Sequence, residues 1–265
     1  MSYAAASPTD EACVIPRRNW PAALGALRRL MANKHDTEQV FIITTALNAD
    51  EDARSYQRLL RTVGGGLIAY KRVELAEKLM DRAWLSTFAP GTVGAAYRAH
   101  VESTGYSAQG LAEISQAGFG DPEALHPYAW AGRRARDIHD LWHVLTGYKA
   151  DEHLGEVALV AFSFAQLGGW GWAAIAIAAW QETLSGGLFN PLGEAIREGY
   201  RLGRKAAWLM AEDYEQLLHE PLDVARRRLR IGTPERYFAI PAAIRAQSLG
   251  QRPKSDGSAQ GLLST

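Results

Sequence analysis

A run of 24 residues without a formal charge, residues 157–180, is the sequence feature that most constrains the fold. An apolar stretch of this length can cross a bilayer as a single helix. Here three glycines interrupt it, namely Gly168, Gly169 and Gly171. Glu156 and Glu182 also bracket it closely. We therefore predict two buried helices that meet at a glycine turn; a membrane span and a surface that dips into one leaflet are the alternatives.

Helical periodicity extends over most of the remaining chain, because apolar residues recur at three- and four-residue spacing. We find no period-two strand pattern and no internal repeat. The predicted helical segments are 37–47, 52–63, 67–84, 93–104, a unit that starts at 121–123, 129–146, 152–167, 170–184, 191–218 and 221–229. Both ends are polar and rich in small residues, which cannot bury a core. The sequence predicts an all-α fold: a single multi-helix domain over residues 20–243, between flexible tails at 1–19 and 244–265.

Charge and cysteine content narrow the chemistry that this chain can perform. Its 29 basic and 29 acidic residues cancel, so it lacks the excess of Lys and Arg that is typical of nucleic-acid binding. A lone cysteine, Cys13, excludes an internal disulfide and a cysteine-rich zinc site. The N-terminal residues contain no apolar signal core, and Asp10 and Glu11 argue against an organellar presequence. We expect a cytoplasmic chain whose chemistry uses His, Asp and Glu.

The segment 133–147, RRARDIHDLWHVLTG, carries the clearest chemical signal. With about 100° per residue, His139 and His143 lie one turn apart on the same face of a helix. Arg136 and Asp140 fall within about 100° of His139, while bulky apolar residues fill the opposite arc. Burying such a polar face without partners costs on the order of several kcal/mol. These groups therefore need one another or a common partner.

A divalent cation is the simplest common partner. Two imidazoles one turn apart can bind a single ion, and Asp140 is close enough to join them or to orient a ligand. Glu156 would approach from the start of a second, antiparallel helix. Two imidazoles and two carboxylates suit Zn²⁺, Fe²⁺ or Mn²⁺. We predict a metal site with four ligands: His139, Asp140, His143 and Glu156.

Other interpretations of the same residues stay open. Paired histidines four residues apart also occur as helix caps or as polar pairs in a core. The arginines at 133, 134 and 136 form either a solvated face or a site for a carboxylate or phosphate. A metalloprotease would need Glu in place of Asp140, and a phosphohydrolase would need a further upstream His and a downstream Asp that no spacing selects. We expect three further histidines to be surface or core residues rather than ligands: His100, His126 and His153.

The motif HDLWHVLTG at 139–147, followed by Gly155-Glu156, resembles the metal motif of the coenzyme Q (ubiquinone) biosynthesis protein 4 family. That motif is His-Asp-x-x-His, eleven residues and then Glu. Weaker similarity at GTVGAAY (91–97) and EPLDVAR (220–226) extends the resemblance over about residues 88–238. Twelve residues separate His143 from Glu156 here, one more than in the family pattern. The Gly-Glu pair favours Glu156 as the fourth ligand, whereas a shifted loop would bring in Glu152.

This resemblance implies an all-helical fold, a bound zinc or similar divalent ion, and a role in making the ubiquinone head group. Members are described as replacing the ring carboxylate of a polyprenylated hydroxybenzoate with a hydroxyl, an oxidative decarboxylation at C1. They are also described as organising the other ubiquinone biosynthesis enzymes at the membrane. The missing presequence fits a bacterial member that works as a peripheral protein at the inner membrane face. The resemblance also allows a homodimer.

Two functions follow from this resemblance. In the enzyme hypothesis the ion binds the ring carboxylate, and Arg136 holds that carboxylate or pairs with Asp140. In the alternative, a non-catalytic lipid-binding scaffold, the ion only joins two helices. A polyprenyl tail needs an apolar channel, and we predict a lipid-accepting groove along residues 157–188, where small residues such as Ala176 and Ala179 leave room. Close helix packing is the other explanation for these small residues.

Overall fold

The computed structural model describes residues 17–34, 36–48, 50–104 and 126–247, and these residues are helical almost throughout. Within them the only β-type pairing is an isolated bridge between Thr92 and Pro221, so the predicted all-α class is confirmed. The helices are α1 (Trp20–Ala32), α2 (Thr37–Leu47), α3 (Glu51–Leu60), α4 (Gly65–Lys71), α5 (Leu75–Met80), α6 (Arg82–Ser86), α7 (Val93–Thr104), α8 (Pro127–Asp137), α9 (His139–Thr146), α10 (His153–Leu167), α11 (Trp170–Thr183), α12 (Pro191–Lys205), α13 (Tyr214–Leu217), α14 (Leu222–Arg228), α15 (Glu235–Phe238) and α16 (Ala242–Arg245). Two short 3₁₀ turns, Leu184–Gly186 and Leu209–Ala211, complete the list.

Helix α10 forms the centre of the domain. Ten of its 15 residues are buried, which is typical of a helix that other helices enclose on all sides. Its most extensive contact is with α12. A Cβ atom on Gly199 of α12 would lie only 2.3 Å from the carbonyl oxygen of Ala158 in α10. The two helix backbones are therefore as close as glycine allows, and this contact holds the N-terminal turn of α10 in place.

The uncharged segment folds into the two helices that we predict; the first is buried, whereas the second keeps one face exposed. Helix α10 ends at Leu167, two glycines turn the chain, and α11 begins at Trp170. Helix α11 packs against α2, α10 and α12, and a Cβ atom on Gly171 would lie 2.8 Å from the Cα atom of Thr44. Over the part of the chain that the structure describes, no helix has both the length and the apolar character needed to cross a membrane.

Close packing also accounts for the small side chains at which we expect a lipid groove. Ala176 and Ala179 are buried between α11 and its neighbours. A Trp at either position would meet packed helices rather than the wall of an open channel, so substitution there would disturb the fold first. The groove along residues 157–188 stays a prediction, and Ala176 and Ala179 are the wrong positions at which to test it.

Two segments that we predict as single helices are broken in the structure. The segment 67–84 becomes α4, α5 and α6, because Arg72 ends α4 in the left-handed conformation (φ 44°) and Asp81 caps α6. The long helix predicted over 191–218 ends with α12. The side chain of Gln166 donates to the carbonyl oxygen of Gly203 (2.7 Å) and accepts from the amide of Leu209 (2.9 Å). These bonds satisfy the end of α12 and direct the chain away from it.

The C-terminal boundary differs from the expected one. Helix α16 extends past residue 243, and Arg245 at its end is bonded to Glu152. At the N-terminal side, Asn19 caps α1 and Arg18 donates a hydrogen bond to the carbonyl oxygen of Leu47. The folded domain therefore includes residues on both sides of the predicted limits. Cys13, the unit that we predict from residue 121, and most of the two predicted tails lie outside the described residues.

Candidate metal centre

A break at Ile138 separates α8 from α9 and interrupts the helix that we predict over 129–146. Just before it, the buried carboxylate of Asp137 accepts hydrogen bonds from Arg136 Nε (2.8 Å) and from the backbone amide of Ala76 (3.2 Å). The guanidinium of Arg136 also forms an ion pair with Asp137 (2.7 Å). Arg136 is therefore bonded to Asp137. One of our interpretations, that Arg136 pairs with Asp140, is wrong because it assumed a helix without a break.

Three donor groups converge where α9 meets the start of α10. The imidazoles of His139 and His143 come from successive turns of α9, with ring centres 5.0 Å apart and nearly perpendicular planes. Glu156, in the first turn of α10, places Oε2 3.7 Å from His139 Nε2 and Oε1 3.3 Å from His143 Nε2. One donor atom from each residue lies within 4.8 Å of the others. Three of the four predicted ligands are thus brought together.

Tyr148 fixes the orientation of His143. Its carbonyl oxygen lies 2.9 Å from His143 Nδ1, so the neutral ring that donates its Nδ1 proton to this oxygen presents a free lone pair at Nε2. Gly147 brings this carbonyl back toward the helix, because it ends α9 in the left-handed conformation (φ 85°). The buried Nε2 atom of His143 faces Glu156 Oε1 at 3.3 Å, but among the described residues no group is aligned to form a hydrogen bond with it. An ion held between His143 and Glu156 would satisfy this nitrogen.

The loop between α9 and α10 crosses the first turn of α10 at Gly155. A Cβ atom at this position would lie 2.1 Å from the carbonyl oxygen of Lys149. Only glycine permits this crossing, which takes place one residue before Glu156. In the pair Gly155-Glu156, the glycine is therefore required for packing, and the glutamate supplies the donor group.

Glu152 lies in the same loop and has a different set of partners. Its carboxylate accepts hydrogen bonds from Nε (2.5 Å) and Nη2 (2.9 Å) of Arg245 and also bonds to the hydroxyl of Tyr237. That hydroxyl accepts a bond from the amide of Lys149 (3.1 Å). The extra loop residue therefore does not bring Glu152 to the donor group; Glu152 ties the loop to the C-terminal helices instead.

The electrostatics of the group favour a charged carboxylate. Burial alone would raise the pKa of Glu156, but His143 and His139 outweigh it and hold the pKa well below its usual range. Burial likewise acts to lower the pKa of His143, yet Glu156, the carbonyl of Tyr148 and Asp140 together raise it. A proton and a metal ion compete for the same imidazole nitrogen in such a group.

Two more polar side chains lie beside the three donors. Asp140 is only 3% exposed, and its Oδ2 atom has no hydrogen-bond partner within the described residues. His100 comes from α7 and stacks on His143, with ring centres 5.9 Å apart and planes inclined by 16°. Burial lowers the pKa of His100, with Asp140 opposing that effect. The sequence analysis expects His100 to be a surface or core residue rather than a ligand, and it does not predict that His100 lies beside the donors. The local signal was its place seven residues after Val93, on the buried side of α7.

The donor group fits a divalent cation. With bonds of about 2.0–2.2 Å, two ligand atoms of a tetrahedral ion lie about 3.3–3.6 Å apart. The two distances from Glu156 to the imidazoles, 3.3 and 3.7 Å, are close to this range. Two imidazoles and a carboxylate accept several first-row metals and do not select one. Three protein donors also leave a coordination position for Asp140 or for a substrate.

Comparison with known proteins adds a second line of evidence. Residues 19–235 match the family model described as coenzyme Q (ubiquinone) biosynthesis protein Coq4. The match covers most of the chain and contains the whole donor group. The chain belongs to the Coq4 family. It is thus a member of a family that works in ubiquinone biosynthesis.

Relatives of this Coq4 family member come from distant organisms. Ubiquinone biosynthesis protein COQ4 homolog, mitochondrial, from Danio rerio is 26% identical over 213 residues, which cover 80% of this chain and 76% of the relative. The protein of the same name from Nematostella vectensis is 27% identical over 159 residues, 55% of this chain and 68% of the relative. The crystal structure of a candidate ubiquinone biosynthesis protein from Nostoc punctiforme aligns with a TM-score of 0.55 and 20% identity, over 82% of this chain and 100% of that chain. At this identity the likeness shows the fold alone.

The remaining polar residues singled out in the sequence have structural partners in this Coq4 chain. Arg133 pairs with Glu74 (2.7 Å). The buried Arg134 donates to the carbonyl oxygens of Met210 (3.3 Å) and Glu212 (2.5 Å). His126 caps α8 by accepting a bond from the amide of Tyr128 (3.2 Å). The arginine run before the motif therefore holds helices together.

Proposed function

We propose that this Coq4 family member is a metal-dependent enzyme that replaces the ring carboxylate of a polyprenylated hydroxybenzoate with a hydroxyl. The observation that carries the proposal is the group of His139, His143 and Glu156, which offers three donors and leaves a coordination position open. Zinc is the ion that we propose, with iron and manganese as the alternatives. A site that only joins helices would more typically saturate the ion with four protein ligands.

The proposed reaction is a two-electron oxidation of the ring. The bond between C1 and the carboxyl group breaks and releases CO₂, and a C1–oxygen bond forms. With water as the oxygen source and dioxygen as the oxidant, each turnover gives one ring hydroxyl, one CO₂ and one hydrogen peroxide. A bound divalent ion supplies a Lewis acid for the negative charge that develops on the substrate.

The residues of this chain hold and orient the components of that reaction. His139, His143 and Glu156 would hold the ion, and the carbonyl of Tyr148 keeps the ring of His143 in the binding orientation. Asp140, with a buried oxygen that lacks a partner, would join the ion or orient the substrate. We assign no contact with the substrate to Arg136, because its guanidinium is bonded to Asp137.

Exposed apolar side chains support membrane contact, which a polyprenyl substrate requires. Trp20 and Leu24 lie one turn apart on α1, and Trp170 and Ile177 lie two turns apart on α11; all four are exposed. The rings of Trp20 and Trp170 are 6.3 Å apart, so the two exposed faces meet. Tryptophan is well suited to the boundary between lipid and water. The proposal therefore includes peripheral binding at the cytoplasmic face of the inner membrane, near the other ubiquinone biosynthesis enzymes.

Turnover of a defined substrate tests the proposed reaction. The purified chain is loaded with Zn²⁺, Fe²⁺ or Mn²⁺ and incubated in air with prenylated 4-hydroxybenzoate labelled at the carboxyl carbon. We expect labelled CO₂ and a hydroxylated ring, measured by mass spectrometry, and loss of both products in His139→Ala. His139 is the suitable variant because its side chain is 22% exposed, so its removal leaves the core intact. Circular dichroism of this variant checks that it folds.

The scaffold alternative gives a different result in the same experiment. A scaffold would bind vesicles that contain the prenylated substrate and release no CO₂ with any of the three metals. Trp170→Ser combined with Ile177→Ser should weaken vesicle binding in either case, since both residues are exposed on one face of α11. Vesicle binding without turnover would therefore contradict the enzyme proposal and favour the scaffold.

A further inference from the structure

We propose that His100 binds the substrate, through a hydrogen bond from its ring to an oxygen of the molecule held at the metal centre. This inference rests on the proposed function for the identity of the ligand, a hydroxybenzoate. It adds to the centre a residue from α7, more than 30 positions before the motif that carries the donors.

The position of His100 on its helix directs it at the centre. Val93, Gly94 and Tyr97 are the buried residues of α7, and His100 continues this side of the helix at three- and four-residue spacing. Helix α7 packs on α9, which carries His139 and His143. The imidazole of His100 consequently stacks on that of His143, with planes inclined by 16°.

The geometry places His100 beside the donor group rather than within it. The atoms within 4.8 Å of one another belong to His139, His143 and Glu156. The ring of His100 lies nearly parallel to that of His143, with ring centres 5.9 Å apart, so it lies next to one of the three donor residues. A group at this distance from the ligands can contact a molecule that occupies the open coordination position.

An unsatisfied polar atom supports a ligand at this place. The Nε2 atom of His100 is buried and has no hydrogen-bond partner among the described residues. Leaving such an atom unpaired costs about 1–3 kcal/mol, so native proteins rarely keep one without a water, an ion or a ligand that completes it. The Oδ2 atom of Asp140 is unpaired in the same way. A ring carboxylate or hydroxyl of the substrate offers the oxygen that His100 needs.

Binding measurements separate this role from metal ligation. The wild type, His100→Gln and His139→Ala are titrated with Zn²⁺ against a competing chelator, and the zinc-loaded forms are then titrated with 4-hydroxybenzoate. We expect His100→Gln to keep its zinc affinity within about threefold and to lose about tenfold in 4-hydroxybenzoate affinity, the value of one hydrogen bond. His219→Gln is the matched control, because His219 is an exposed histidine that contacts Phe88 away from the donors.

Each remaining outcome would overturn the inference. Equal 4-hydroxybenzoate affinity in His100→Gln and the wild type, or no binding by either, removes the contact. A loss of zinc affinity as large as that in His139→Ala makes His100 a metal ligand instead. His100→Phe keeps the ring stack without the nitrogen, so restored 4-hydroxybenzoate binding in this variant would reduce His100 to a packing residue. These titrations measure binding and not turnover. Failure of the proposed reaction can therefore be distinguished from failure of the inference about His100.

Discussion

Two corners of this molecule each hold a glutamate whose pKa is shifted, and the shifts have opposite directions: the side chain of Glu156 is 38% exposed, whereas Glu51 is buried. At the junction of α9 and α10, Glu156 faces His139 and His143, and its pKa lies well below the usual range. At the start of α3, Glu51 is 5% exposed and accepts one hydrogen bond, from Trp172 Nε1 (3.2 Å). Burial, followed by the charge of Asp52, raises the pKa of Glu51 to about 8.

The difference shows what makes a buried carboxylate chemically useful. Both side chains lose solvation, which penalises the charged form. Only at Glu156 do the neighbouring groups, His143 and His139, outweigh this penalty, so the carboxylate stays ionised. At Glu51 the hydrogen bond from Trp172 and the charge of Arg54 oppose the effect of burial but do not outweigh it. Its second oxygen has no hydrogen-bond partner within the described residues. Burial of an acidic residue is therefore not by itself a sign of a metal site.

The largest expected effect is on metal affinity. Glu156→Gln should weaken zinc binding about 100- to 1000-fold, because one of three donors carries about 3–4 kcal/mol of a total near 12 kcal/mol. Glu152→Gln is the matched variant four residues earlier and should cost no more than about tenfold, since it acts only through the loop. Competitive titration with a chromophoric chelator measures both. Equal losses in the two variants would mean that Glu152 shares the ion.

The second effect concerns how the free energy of unfolding depends on pH, through Glu51 at the start of α3. The unfolded Glu51 releases its proton near pH 4.5 and the folded one near pH 8, so the free energy of unfolding falls as pH rises through this window. The slope from this group is at most about 1.4 kcal/mol per pH unit. Glu51→Gln should remove that slope and be the more stable protein at pH 8, while it keeps an acceptor for Trp172.

Urea denaturation at pH 5, 6, 7 and 8 measures this difference. Glu38→Gln is the control, because Glu38 is an exposed residue of α2 and its loss should leave the slope unchanged. Asp52, whose pKa burial raises to about 6, adds its own slope at the lower end of the window in every variant. Parallel stability curves for Glu51→Gln and the wild type would show that Glu51 is ionised in the folded chain.

A smaller effect tests whether Arg245 holds the loop between α9 and α10 in place. Arg245→Ala removes both hydrogen bonds to Glu152, which releases the loop that carries the carbonyl of Tyr148. We expect zinc affinity to fall about tenfold, the usual effect of a group that orients a ligand. Calorimetric titration with Zn²⁺ measures it.

The smallest effect serves as the control for that variant. Arg227 forms an exposed ion pair with Asp223, with both side chains 69% exposed. Arg227→Ala should leave both the free energy of unfolding and the zinc affinity nearly unchanged, because exposed ion pairs contribute little to stability. A comparable loss of affinity in Arg227→Ala and Arg245→Ala would show a general effect of arginine removal rather than a role for the loop.

Periodicity was sufficient for the fold class and for the helices that end at local signals. The segments 37–47 and 93–104 coincide with α2 and α7, and the glycine turn between α10 and α11 is where we predict it. The breaks at Ile138 and after Lys205 were not predictable in this way, because distant side chains satisfy the ends. Asp137 bonds to Ala76, and Gln166 bonds to Leu209.

Part of the candidate metal centre could be predicted from helical spacing alone. His139 and His143 share one helix, so their spacing alone brings them together. The choice between Glu152 and Glu156 depends on Arg245, which is 93 positions after Glu152 in the chain. The spacing of His100 from Val93 places it on the buried side of α7, but the groups that it meets there depend on how α7 packs on α9.

The support of the α9–α10 loop by late residues has a consequence for synthesis on the ribosome. Arg226 binds the carbonyl oxygens of Val144 (2.9 Å) and Leu145 (2.8 Å), and Arg245 binds Glu152. The three donors are made first, and at about 5–20 residues per second the chain needs roughly 5–20 s more to reach Arg245. During that interval a nascent chain carries both histidines and Glu156 without the clamp that sets their geometry. The contacts that set the geometry of the three donors are therefore complete only after the C-terminal helices have been made.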